Sequence, residues 1–195
     1  FTYMKNVYSF ILPPAFAPVQ SIMGTETRYT NMATVKLHPA CKDYIWGGTK
    51  LKELYNKQTD MDPLAETWEL STHKDGQSEV VTGDNAGKTL SQYIEDKGWK
   101  VLGTECRDMK RFPVLIKFID AKQPLSIQVH PDDEYAWRVE GEPGKTEMWY
   151  ILDAEPDAFL YFGVKRHTDR EEFRKAIEDG TVLDLLRAVP VHKGD

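Results

Sequence analysis

The sequence predicts a mainly β domain with inserted helices, an antiparallel sandwich or jelly roll rather than a doubly wound sheet. Three observations predict it. Branched and aromatic runs crowd the middle of the chain, short strand signals recur along it, and the helical patterns between them are brief and individually capped. The length of 195 residues fits one domain, or one with a short appendage, and 41% hydrophobic with 29% charged residues can fill a core of that size.

The elements follow in chain order. Residues 1–31 lack any sustained period of 2 or 3.6 and read as a leader, disordered or artefactual, so the domain is expected over 32–195. Residues 35–37 read as a short strand, and Asp43-Tyr-Ile-Trp-Gly-Gly as an aromatic strand ending in a glycine turn. Strands at 66–71 and 78–82 flank Lys74-Asp75-Gly76, whose Asp-Gly pair signals a hairpin. Thr89 and Gln92 form a capping box for a helix that carries Tyr93 and Ile94 and stops at Gly98. Val114-Leu-Ile-Lys-Phe-Ile is apolar and branched, Leu125-Ser-Ile-Gln-Val-His alternates, and Glu147-Met-Trp-Tyr-Ile-Leu is aromatic and branched, with a further strand over 159–162. A short helix over 132–139 precedes the loop Gly141-Glu-Pro-Gly. A second capping box, Thr168 with Glu171, opens a helix that carries Phe173 and Ile177 on one face and ends at Gly180. A last helix over 182–188 stops before Pro190.

Charge and composition narrow the partners. Asp and Glu number 31 against 25 Lys and Arg, a formal net charge of -6, so no basic footprint exists for nucleic acid or an anionic membrane surface. Small soluble ligands are the default. The longest apolar stretch, 7–19, is broken by Pro13, Pro14 and Pro18 and falls short of the roughly 20 residues a membrane helix needs. Lys5 with Ala15 and Ala17 imitates a signal peptide poorly. Two cysteines, Cys41 and Cys106, are too few for a disulfide framework and read as reduced thiols in the cytoplasm. The sequence assigns no oligomeric state.

Chemistry concentrates in Gln128-Val-His-Pro-Asp-Asp and the later Glu147. In a strand Gln128 and His130 point the same way, with Val129 opposite, and Glu147 opens the next strong strand. An imidazole nitrogen, a carboxylate and an amide oxygen converging there suit a divalent ion with mixed ligands, zinc foremost. A plainer reading makes His130 the end of a strand at a Pro turn and Glu147 a solvated charge. Lys145 would share the face of Glu147, where a neighbouring dication would lower its pKa and fit it for proton transfer; otherwise it is a solvated loop lysine. Ser126 lies on the face of Gln128 and His130 and could donate to a phosphate, or be an ordinary polar strand residue. Asp132 and Asp133 read more simply as first-turn helix charges than as an acid and base pair. His38, His73, His167 and His192 stand apart from ligand spacing, and Trp46, Trp68 and Trp149 read as core before sugar-stacking surfaces.

Lys117-Phe-Ile-Asp-Ala-Lys-Gln-Pro-Leu-Ser-Ile-Gln-Val-His-Pro-Asp-Asp closely resembles the signature of type I mannose-6-phosphate isomerases. So do Gly144-Lys-Thr-Glu-Met-Trp-Tyr, Glu66-Thr-Trp-Glu-Leu-Ser and Pro39-Ala-Cys-Lys-Asp-Tyr-Ile-Trp-Gly-Gly-Thr-Lys-Leu, in family order from about residue 32 to 195. The resemblance implies a cupin-type jelly roll, one zinc ion, and interconversion of the sugar phosphates mannose 6-phosphate and fructose 6-phosphate. It places zinc ligands on Gln128, His130 and Glu147, Lys145 in catalysis and substrate binding, and Ser126 at the substrate. It also implies a fourth histidine ligand and an active-site arginine beyond Asp195, so the jelly roll is expected to be incomplete at its C-terminus. Glu66, Trp68 and Ser71 read as packing around the barrel. The alternative function is a non-catalytic sugar- or metal-binding cupin.

Overall fold

The apolar, β-branched run around Ile116 supplies a central strand of the main sheet. The computed structural model describes the backbone of Met4–Leu12 and, with side chains, residues 34–195 other than Arg107 and Lys110. In chain order the elements are β1 (Met4–Leu12), β2 (Leu37–His38), β3 (Ala40–Lys42), α1 (Lys50–Tyr55), β4 (Glu66–Leu70), β5 (Thr72–His73), β6 (Gly76–Gln77) and β7 (Glu79–Val80). Then come α2 (Leu90–Lys97), β8 (Ile116–Ala121), α3 (Asp133–Val139), β9 (Met148–Val164), α4 (Arg170–Glu178) and β10 (Leu186–Pro190). Six strands form one antiparallel sheet in the order β10-β9-β1-β8-β4-β3, with β10 and β3 as its edges among the described residues. β2 with β7 and β5 with β6 make two small ribbons. Where a loose leader is expected, the backbone of Met4–Leu12 forms β1 between β8 and β9; the rest of the 1–31 segment lies outside the described residues.

Alternate apolar residues of β8 enter the main core, with Asp120 between them buried as well. Ile119 and Ala121 of β8 pack with Ile151 and Ala158 of β9 and with Val191, and Trp46, Leu125 and Trp149 lie against them. Trp68 is buried as well, so these three tryptophans serve the core. A second cluster, Val80 with Leu90, Tyr93 and Ile94, fixes α2 to β7. The capping box of α2 is complete: Gln92 N donates to Thr89 Oγ1 at 3.2 Å, Thr89 N donates to Gln92 Oε1 at 3.0 Å, and the helix ends at Gly98.

Helix α1 is capped from a distance. Thr49 makes no side-chain cap; the buried Asp120 of β8 accepts from Lys50 N at 2.7 Å instead. Burial pushes the Asp120 carboxyl up, and the backbone N–H groups of Lys50 and Leu51 pull it back. Gly48 leaves room for this contact, since a Cβ there would stand 2.6 Å from both carboxylate oxygens. Gly48→Ala is therefore expected to lose about 1–3 kcal/mol in chemical denaturation, because the carboxylate is held by the helix and cannot step aside. A variant as stable as the parent would show that Asp120 does not cap α1.

Several elements differ from their sequence expectations for physical reasons. Residues 43–48 form no strand; Gly47 N donates to Tyr44 O at 2.9 Å and closes a turn, and Gly47 and Gly48 make single bridges to Ala121 and Leu64. The expected strand 125–130 is irregular apart from a bridge at Gln128, framed by Pro124 and Pro131, although Leu125 and Ile127 still turn inward and Ser126 and Gln128 outward. The two strands expected at 147–152 and 159–162 are one, β9, whose register against β1 jumps from Ala154 to Phe159 and leaves Glu155, Pro156 and Asp157 exposed. The helix expected over 182–188 is a single turn, Val182–Asp184, followed by β10, because the free edge of β9 satisfies the backbone better. Asp169, not Thr168, caps α4 by accepting from Glu172 N at 2.8 Å.

Candidate active site

The irregular segment after β8 and the start of β9 bring the ionisable residues together. His130 Nε2 lies 3.0 Å from Glu147 Oε1, and Lys145 Nζ lies 2.9 Å from Glu147 Oε2. Trp149, two residues on and on the same face, donates its indole N–H to Glu147 Oε1 at 3.1 Å. Glu147 is the hub of this cluster, its side chain 9% exposed against 20% for His130 and 42% for Lys145. Burial works to raise the Glu147 carboxyl, but the Lys145 ammonium and the His130 imidazole outweigh it and hold the group below its ordinary range. Glu147 is thus kept as an anion.

Ser126 and Gln128 form a second pair, Gln128 Nε2 donating to Ser126 Oγ at 3.2 Å, both exposed. This is the i, i+2 geometry their alternation predicts. Among the described residues no hydrogen bond or ion pair joins this pair to the Glu147 cluster. The expected ligands therefore fall into a His130–Glu147 contact and a separate Gln128, whose amide oxygen stays available because its nitrogen makes the bond to serine.

The donor set fits a cation. Glu147 Oε2 carries the Lys145 ammonium, and the Oε1 of the same buried, anionic carboxylate faces an imidazole nitrogen, a mixed N and O pair that suits zinc. The described residues contain no group of three or more His, Cys, Asp or Glu that could hold a metal ion. His130 and Glu147 are the described pair that could offer a metal an imidazole nitrogen and a carboxylate oxygen side by side, with Gln128 standing apart beside Ser126.

Other side chains have structural duties. Asp132 caps α3 by accepting from Tyr135 N at 2.9 Å, as a first-turn charge should. His38, His167 and His192 are exposed, and His73 sets its ring edge-on to Trp68. Glu66 is buried with its charge matched by Lys117, Nζ to Oε1 3.0 Å, and it accepts the Trp68 indole N–H at 2.7 Å. Lys117 carries no motif of its own, but its i, i+2 relation to Ile119, the residue that pairs with Glu66, puts it on the face of Glu66. The Trp149 contact was legible in principle from its i, i+2 relation to Glu147.

Comparison with known proteins gives the chain a family. Residues 34–157 match the family described as phosphomannose isomerase type I, catalytic domain, a range that includes Ser126, Gln128, His130, Lys145 and Glu147. A probable mannose-6-phosphate isomerase of Bacillus subtilis (strain 168) is 43% identical over 160 residues, covering 82% of this chain and 50% of that protein. A mannose-6-phosphate isomerase of Streptococcus mutans is 37% identical over 152 residues, covering 77% and 46%. The crystal structure of mannose 6-phosphate isomerase from Bacillus subtilis matches with a TM-score of 0.76 at 37% identity, covering 83% of this chain and 50% of that one. The chain spans about half the length of the curated relatives it matches. The mainly β fold with few inserted helices is shared with that solved structure. With residues 34–157 matched to its catalytic domain, the chain belongs to the type I phosphomannose isomerase family.

Proposed function

We propose that this chain is part of a zinc-dependent aldose–ketose isomerase that interconverts mannose 6-phosphate and fructose 6-phosphate, with residues 32–195 contributing to its catalytic cupin. The observation that carries the reading is the His130–Glu147–Lys145 cluster, an imidazole and a buried carboxylate beside an exposed ammonium, in a chain of this family. Gln128, His130 and Glu147 would hold the zinc. When bound, the ion supplies Lewis-acid stabilisation of negative charge on a sugar oxygen.

The remaining work falls to this chain's own groups. Isomerisation moves a proton between C1 and C2 through an enediol, so a group of adjustable protonation must reach the sugar. Lys145 Nζ is the exposed end of the cluster and is the group placed to hold or move that proton, while Glu147 neutralises it on the buried side. The Ser126 hydroxyl, exposed beside Gln128, can turn to donate to the substrate phosphate. Trp149 holds Glu147 in orientation through its indole N–H. None of the described helices is long and apolar enough to cross a membrane, and the free thiols of Cys41 and Cys106 fit the reducing cytoplasm we assign to the protein.

The test is the rate of fructose 6-phosphate formation from mannose 6-phosphate by the full-length protein before and after chelation. Activity should disappear with the metal and return with zinc. A zinc-loaded protein that binds the sugar phosphate without turnover would make it a binding cupin instead. Lys145→Met is expected to lower turnover about a hundredfold with zinc content unchanged, because a protonated lysine offers the metal no lone pair. An unchanged rate would remove Lys145 from the mechanism.

A further inference from the structure

The residues around Lys145 and Glu147 raise a question of placement. Lys145 and Thr146 belong to an exposed loop, yet the Glu147 carboxylate that follows it meets both Lys145 and His130, the latter on a separate irregular segment. What joins the two is a backbone contact on the far side of Pro131. Gly144 N donates to Asp133 Oδ1 at 2.8 Å, and Lys145 N donates to Pro131 O at 3.2 Å. Gly144 sits so close to this turn that a Cβ would stand 2.5 Å from Asp132 C, 2.6 Å from Pro131 O and 2.7 Å from Asp133 N. All three are backbone atoms, which have no rotamer to yield.

The turn is itself fixed. Asp132 caps α3 through Tyr135 N, and Ala136 N donates to Asp132 O at 3.0 Å, so residues 131–133 are held by the helix that follows them. The two adjacent aspartates thus divide the labour: Asp132 faces its own helix, and Asp133 reaches back across to the loop.

We propose that Asp133 and Gly144 form a clasp that positions Lys145 and Glu147 against His130, making Asp133 a positioning residue for the site. The inference rests on the isomerase reading given above. Two short links, one side chain to backbone and one backbone to backbone, pin the loop immediately before Lys145. From there Lys145 and Thr146 carry the chain to Glu147, whose carboxylate lies 3.0 Å from the imidazole. The Asp133 side chain reaches the Gly144 amide and acts by fixing where the loop begins. Its role is that of an acceptor in one place, which a neutral amide oxygen can also fill.

The test uses the full-length protein with Asp133→Ala, Asp133→Asn and Gly144→Ala, and three readouts. They are hydrogen exchange of the Gly144 amide without metal, zinc retention against a chromophoric chelator, and kcat and KM for mannose 6-phosphate. Asp133→Ala should speed exchange at Gly144, weaken zinc retention roughly tenfold and lower kcat more than it changes KM. Asp133→Asn should restore all three, since its Oδ1 accepts the same N–H, and Gly144→Ala should be at least as damaging as Asp133→Ala. If Asp133→Asn fails like Asp133→Ala with an unchanged thermal midpoint, the residue acts by its charge at the start of α3 and the clasp is wrong. The clasp is equally wrong if Asp133→Ala leaves Gly144 exchange and zinc retention at parental values. A parent protein with neither zinc nor turnover would overturn the isomerase reading alone, because exchange at Gly144 still reports on the clasp.

Discussion

Alanine at both His130 and Glu147 is expected to leave the full-length protein without zinc and to reduce isomerisation about a thousandfold or more. The two side chains contribute an imidazole nitrogen and a carboxylate oxygen that already stand 3.0 Å apart, so the double replacement removes both donors of the contact at once. Metal stabilisation of developing charge is worth several kcal/mol, and each 1.36 kcal/mol is tenfold in rate. Glu147 should matter more than His130. It also pairs with Lys145 and accepts the Trp149 indole N–H, so its loss leaves an ammonium and a donor without their partner. The single variants should therefore rank Glu147→Ala below His130→Ala in both zinc content and rate. Metal analysis together with a thermal scan separates lost ligation from lost folding. Equal zinc in the double variant and the parent would remove this pair from the metal site.

The fold was legible in sequence where local chemistry decides it. The Thr89–Gln92 box, the Asp75-Gly76 hairpin and the branched run of β8 each carry their own signal, and each stands close to where that signal put it. Non-local competition decided the rest. Residues 182–188 have a passable helical pattern, but Leu186 onward finds the unpaired edge of β9, which no local window contains. Asp120 caps α1 from β8, far along the chain, so neither Thr49 nor any nearby residue announces that helix start. At the site, alternation placed Ser126 beside Gln128 even though a regular strand never formed, because an extended backbone keeps the period without needing a partner. The contact of His130 with Glu147 was foreseeable from two expected strand ends, although neither residue lies in a strand. The contact of Asp133 with Gly144 was not, since it depends on how a loop folds back on a turn.

Replacing Lys117 with methionine is expected to destabilise the protein by about 3–5 kcal/mol, the usual cost of leaving a buried charge without its partner. Lys117 Nζ lies 3.0 Å from Glu66 Oε1 and 3.1 Å from Oε2, with the two side chains 12% and 6% exposed. Methionine fills much the same volume and packs against Trp68 as the lysine stem does, so the loss measures charge rather than a cavity. The Trp68 indole N–H would remain on Glu66 Oε2, but one neutral donor does not offset a buried anion. Lys42, whose ammonium stands 4.6 Å from the Trp68 ring centroid, is half-buried and already donates to Asp75 O, so it is poorly placed to take over. A second substitution separates the causes. Glu66→Gln in the Lys117→Met background removes the stranded charge while keeping an oxygen for the Trp68 indole N–H, and it should recover most of the lost stability. Denaturant titration of the parent, both single variants and the double variant gives the coupling directly. A double variant no more stable than Lys117→Met alone would mean that β4 and β8 are held there by packing, with the ion pair contributing little.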